Sequence, residues 1–133
     1  MILPARLPLV GNRYTPFAYE IAFKGLNLAG ASILSMIRLY PDAPGEPLAT
    51  FAASLSVVAD NAVPTSTITL SLTEAQMRAL PKAGEPGDPT ELAWDITITE
   101  RAADQTDPQE PARGRKFLPL FGPFTINPGV TYA

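Results

Sequence analysis

The chain has 133 residues, 46% hydrophobic and 17% charged, with a formal net charge of −3. That length fits one domain, and a domain of this size can fold on buried surface without metals or disulfides. It has no cysteine and no histidine, which excludes thiol nucleophiles, disulfides, most zinc and copper sites and every histidine-based acid–base scheme. The ten basic residues are scattered, so no phosphate track forms and no nucleic-acid partner is expected. Arg113, Arg115 and Lys116 stand beside Asp104, Asp107 and Glu110 and read as a solvated loop. No apolar run reaches the roughly 18 residues of a bilayer span. No charged stretch followed by a long apolar run opens the chain, so a cytosolic origin without membrane contact is expected. Fifteen prolines and nine glycines leave no room for long helices but suit short strands and turns.

Taken in chain order, residues 1–12 hold Pro4 and Pro8 among Leu3, Leu7 and Leu9, which reads as an extended arm or an edge strand. From Phe17 the alternation is clean: Phe17, Tyr19, Ile21 and Phe23 face one way, and Ala18, Glu20, Ala22 and Lys24 the other, a half-buried strand. Gly25 ends it, and Leu26 and Leu28 are expected to turn inward from the following loop. Residues 32–40, SILSMIRLY, are apolar on both faces, as in a central strand covered twice. Residues 41–47, PDAPGEP, are turn chemistry. Residues 48–58 alternate again, with Phe51, Ala53, Leu55 and Val57 inward. Asp60 and Asn61 mark a turn. In residues 63–72, Ile68, Leu70 and Leu72 face in while Thr65, Thr67, Thr69 and Ser71 face out, a pleated pattern.

Thr73 and Gln76 then have the spacing of a capping box, with Met77 and Leu80 on the apolar side and Pro81 as the stop. A helix of two turns at most is predicted. Residues 82–90 are loop. In residues 92–99, Leu92, Trp94, Ile96 and Ile98 face in. Residues 101–115 form a polar loop long enough to be mobile or used in contact. Residues 116–126 read as a last strand that Pro119 and Pro123 confine to an edge or a bend, and Pro128-Gly129 turns the chain away. Turns every 8–12 residues between six to eight strands make an all-β sandwich, in one domain over residues 1–133.

The stretch from Phe17 to Phe51 also resembles a known family. A strand, FAYEIAFK, is followed by the turn Asn27-Leu28-Ala29-Gly30-Ala31, then by a strand with an embedded arginine, Arg38, and later by an aromatic-x-Ile motif, Phe124-Thr125-Ile126. The pattern is similar to the immunoglobulin-like N-terminal domain of bacteriophage upper-baseplate proteins and related small tail proteins. The resemblance implies an immunoglobulin-like antiparallel β-sandwich of about seven strands with one short helix. It implies a structural or adaptor component of a virion, in the tail tip or baseplate, that works through protein contacts without catalysis. Its partners would be other virion proteins and further copies of itself, and it would be assembled in the host cytoplasm and carried in the virion. Upper-baseplate proteins usually continue into a stalk or receptor-binding module, so ending at Ala133 implies a stand-alone version that decorates or bridges.

The residues offer no catalytic, cofactor or metal site to compete with that expectation. Glu20 and Asp95 fall on predicted wet faces and Glu100 ends a strand, so no acid and base pair converges. Asp104, Asp107 and Glu110 have the wrong spacing for a calcium loop, and Gly114 comes too late. Thr65, Ser66, Thr67, Thr69 and Ser71 have no base to activate them. Trp94 with Tyr14, Tyr19, Tyr40 and Tyr132 would make a sugar platform only if exposed together, and a carbohydrate- or peptide-binding module is the alternative function. Arg38, on a two-faced apolar strand, needs a carboxylate partner in this chain or across an interface. Contacts with neighbouring subunits are expected at the two ends: Ile2, Leu3, Leu7 and Leu9 in the arm, and Val130 and Tyr132 in the tail of residues 128–133.

Overall fold

A computed structural model describes residues 4–82, 87–107 and 109–128. Among them are nine strands and one helix: β1 (Ala5–Arg6), β2 (Leu9–Asn12), β3 (Phe17–Lys24), β4 (Ser32–Arg38), β5 (Ala49–Thr50), β6 (Ala52–Asp60), β7 (Val63–Leu72), α1 (Glu74–Ala79), β8 (Thr90–Thr99) and β9 (Lys116–Asn127). The strands form two sheets. One runs β1-β9-β8-β4-β5, with β2 also on β9, and the other runs β3-β7-β6. The chain is all-β with one short helix.

The alternating apolar rows of both sheets meet in one core. Phe17 of β3 packs edge-on against Phe124 of β9, with ring centroids 5.1 Å apart, and Phe51 stands edge-on to Trp94 at 6.4 Å. Ile68, Leu70 and Leu72 from β7 and Leu92, Trp94, Ile96 and Ile98 from β8 are all buried, as their period-two spacing predicts. The capping box also forms: Thr73 Oγ1 accepts from the Gln76 amide, and Gln76 Oε1 accepts from the Thr73 amide. Met77 and Leu80 seal one end of the core.

Four expectations are corrected. Tyr19 is exposed, not core. It lies on β3, an edge of its sheet, where a phenol can keep its hydroxyl in water. β4 is covered on one face only: Ile37 and Ser35 are buried, while Leu34 is exposed and Met36 half-buried on the outer face. Residues 48–58 are not one strand, because β5 pairs with β4 in one sheet and β6 with β7 in the other. The chain changes sheets at Phe51, which is buried where the two meet, while Ala53 of the expected inner row is exposed.

The fourth correction concerns β9. It lies between β8 and the strands of the N-terminal arm, so of the edge or bend expected from its prolines only the edge is ruled out. Pro119 falls where the β8–β9 register slips between Ile96 and Ile98. Pro123 falls between the Arg6–Phe121 and Leu9–Phe124 pairs of the arm. Each proline sits where a ladder bond is already interrupted, so neither breaks the strand. The arm pairs parallel to β9, so the larger sheet is mixed and not purely antiparallel. Pro8 divides β1 from β2.

Leu9 is 2% exposed and has no surface to offer a neighbouring subunit. Leu7 is half-buried against the core, and its carbonyl accepts a 2.9 Å hydrogen bond from Trp94 Nε1. Both arm residues pack within this chain's own fold, Leu9 fully and Leu7 in part. Ile2, Leu3, Val130 and Tyr132 lie outside the described residues.

Candidate functional site

The outer face of the larger sheet, which no described element covers, carries a groove of about 560 Å³. Its origin is the register of four strands. One rung across the sheet reads Met36, Asp95, Phe121, Arg6, and the next reads Arg38, Ala93, Pro123. Outward side chains at facing positions stand side by side. The small Ala93 in the middle of its rung leaves a hollow, which Phe121, Met36 and Tyr40 border with apolar surface and Arg6, Glu91 and Asp95 with charge. Phe121 and Tyr40 are 41% and 52% exposed, a large apolar area to leave in water.

Arg38 is held by backbone. Its Nη1 donates to the carbonyls of Ala43 (3.0 Å) and Gly45 (2.7 Å). The carboxylate partner expected for it is replaced by the 41–47 turn, where Asp42 and Gly45 have positive φ and so aim carbonyls back at the strand. The arginine fixes this turn as one wall of the groove. Asp95 is half-buried rather than fully wet. Burial pushes its carboxyl above the ordinary 3.8, Arg38 pulls it back, and Asp42 adds to the rise. Ser35 Oγ donates to the Asp95 carbonyl at 2.7 Å from the core side, anchoring the backbone beneath the carboxyl.

The other residues singled out in the sequence are placed apart from this groove or inside the fold. Trp94 is 3% exposed and cannot belong to a sugar platform. Glu20 is exposed on β3. Ser66 is fully buried, accepting from the Leu28 amide (2.9 Å) and donating to the Leu26 carbonyl (2.6 Å). That bond seats Leu28, itself 1% exposed, in the core. Asn27 Oδ1 accepts from the Ala29 amide, and Gly30 has φ +76 with Arg101 packed where a Cβ would stand. The Asn27–Ala31 motif is thus a turn that plugs the core.

The 101–115 loop is tied by Arg101, which donates to the Asp107 and Glu110 carbonyls, and by a side chain that the sequence did not point to. Gln105, 8% exposed, accepts through Oε1 from the Ala102 and Arg113 amides at 2.7 and 3.0 Å and donates through Nε2 to the Pro111 carbonyl at 2.8 Å. Arg113 pairs with Asp104, and Arg115 with Glu100 at 2.7 Å. Both arginines of the basic cluster are answered by nearby acids, in keeping with a solvated charge pattern. Among the described residues no group of three or more acidic side chains is placed to hold a metal ion.

Arg13 is the second residue the sequence did not point to. It is 3% exposed, and its guanidinium donates to the carbonyls of Leu80 (2.5 Å), Pro81 (3.1 Å) and Met77 (3.3 Å). It closes the C-terminal end of α1, whose last carbonyls have no partner within the helix. Compared with known protein families and with curated proteins, the chain matches neither a family model nor an individual protein.

Proposed function

We propose that this chain is an immunoglobulin-like β-sandwich domain that acts as a structural or adaptor component of a bacteriophage virion, in the tail tip or baseplate, by protein contact. Two things support the fold half of the reading. The first is the strand order, β3-β7-β6 in one sheet and β9-β8-β4-β5 in the other, which is compatible with an immunoglobulin-like sandwich. The turn at Asn27–Ala31 and the arginine at Arg38, which carry the sequence resemblance, both have ordered roles in the fold, one as a core plug and one as a loop tie.

The observation that carries the functional half is the groove on the outer sheet face. Phe121 and Tyr40 are large rings exposed beside three acids and two arginines in one concavity. Exposed aromatic surface next to fixed charge is the composition of a protein contact site. The experiment is mass spectrometry of purified virions, paired with co-elution of the purified chain with tail proteins. The chain is expected in the particle at a fixed copy number, and Phe121→Lys should abolish co-elution while the domain stays folded. Absence from virions overturns the reading.

The same groove favours one alternative, a carbohydrate- or peptide-binding module, because Tyr40 and Phe121 flank the polar Asp95. Retardation on a glycan or peptide matrix that Phe121→Lys removes, in a chain absent from particles, selects it.

A further inference from the structure

A sheet edge exposes unpaired backbone donors and acceptors, and natural proteins blunt such edges with charge, proline, bulges or brevity. Three of the four edges here are blunted. β5 is two residues long, the β1–β2 edge is short and broken at Pro8 with Arg6 beside it, and β3 carries Glu20 and Lys24. β6 differs. It is nine residues long and pairs with β7 in unbroken register from Ala52 to Asp60, without a bulge. It contains no proline, and its one charged residue, Asp60, is the last. No described strand pairs with its far side. Its side chains also lack cover: Val58 is 62% exposed on one face, and Leu55 and Val57 are only half-buried on the other.

We propose that β6 pairs with β6 of a second copy of this chain, antiparallel across a two-fold axis, joining the two three-stranded sheets into one of six strands. An axis through Ser56 sets Leu55 against Val57 of the partner subunit, and Ser54 against Val58 of the partner subunit. The inner pair continues the apolar row of each core, which completes the burial of the two half-covered residues. The second copy is the fitting occupant because the pair closes: the joined sheet runs β3-β7-β6 and back, so both its new ends are the charged β3 edges, and growth stops at two. This interface lies on the smaller sheet, independent of the groove on the larger one. Because its test uses the purified chain alone, its failure leaves the virion reading untouched.

The chain has no cysteine, so single cysteines report the contact directly. Ser56→Cys is expected to form a disulfide-linked dimer under mild oxidation, and Ala18→Cys on β3 is not. Light scattering of the unmodified protein over a concentration series should show a monomer–dimer equilibrium, and Val58→Lys should lose the dimer while keeping its β circular dichroism. A protein that stays monomeric at all concentrations overturns the proposal. So does equal cross-linking through Ala18→Cys, and so does open-ended aggregation in place of a dimer.

Discussion

Two polar side chains, Arg13 and Gln105, each organise a segment that has no sheet to hold it, and they do so in opposite settings. Arg13 lies at the closed end of the core and satisfies carbonyls of α1 from 64 or more residues away in sequence. Gln105 lies within its own loop and reaches partners three to eight residues away. The first bonds carry a full charge in a buried place. The second are mainly neutral amide bonds, with one long contact of 3.4 Å to the Glu110 carboxylate. Hydrogen bonds to a charged group contribute about 1.5–3 kcal/mol and neutral ones nearer 1, so the two hubs should differ in both the size and the reach of the damage when removed.

Removing Arg13 is expected to do the most. Arg13→Ala strips the two short bonds to Leu80 and Pro81 and leaves helix-end carbonyls facing a cavity. The expected loss is roughly 3–5 kcal/mol of global stability, read from urea denaturation. Because α1 seals the core with Met77 and Leu80, the unfolding should remain one cooperative transition. A separate early loss of the helix, with β structure intact, would show that the cap serves α1 alone.

Gln105→Ala should cost less, roughly 1–2 kcal/mol, and the cost should stay local. Amide hydrogen exchange is expected to quicken at Ala102 and Arg113, whose donors lose their acceptor, while β7 and β8 amides keep their protection. Equal quickening in the core strands would mean the loop is part of the global folding unit, and the contrast between the two hubs would fail.

Neither hub was legible in the sequence. Period-two spacing marks which residues of a strand face inward, and it placed Trp94, Ile96, Ile98, Ile68 and Leu70 correctly, because that information is local. Pro81 announces that α1 must end and that its last carbonyls need donors, but nothing local says that the donor is Arg13. The switch of sheets at Phe51 was hidden for a related reason: the alternation runs through the crossing without a break, and only the pairing partners of β5 and β6 reveal it. The prolines of β9 misled because a proline marks a missing ladder bond, and in a sheet that bond can be missing at an interruption inside as well as at an edge. The groove was equally silent, since it depends on which residues of β1, β4, β8 and β9 share a rung. Asp95 read as a wet-face carboxylate because its neighbours Met36 and Phe121 come from strands far away in sequence.

That position supplies the smallest predicted effect and a third kind of polar residue beside the two hubs, one whose burial works against stability. Burial raises the Asp95 carboxyl above the ordinary 3.8, Arg38 opposes the rise, and Asp42 adds to it. Between the ordinary value and the raised one, the folded chain holds more proton than the unfolded chain, so stability falls as pH climbs through that window and stays lowered above it. Asp95→Asn, which cannot ionise, removes that loss. Its melting temperature should exceed the parent's at neutral pH, and the gap should close as the pH is taken below 3.8. Melting curves of both proteins across that range decide the matter. If the attraction of Arg38 outweighs desolvation, the sign reverses: the asparagine variant melts lower at neutral pH and the parent loses its advantage in acid. With the expected sign, Asp95 is a charge held at a cost to the isolated domain in the middle of an exposed groove, whereas Arg13 and Gln105 stabilise the segments they tie.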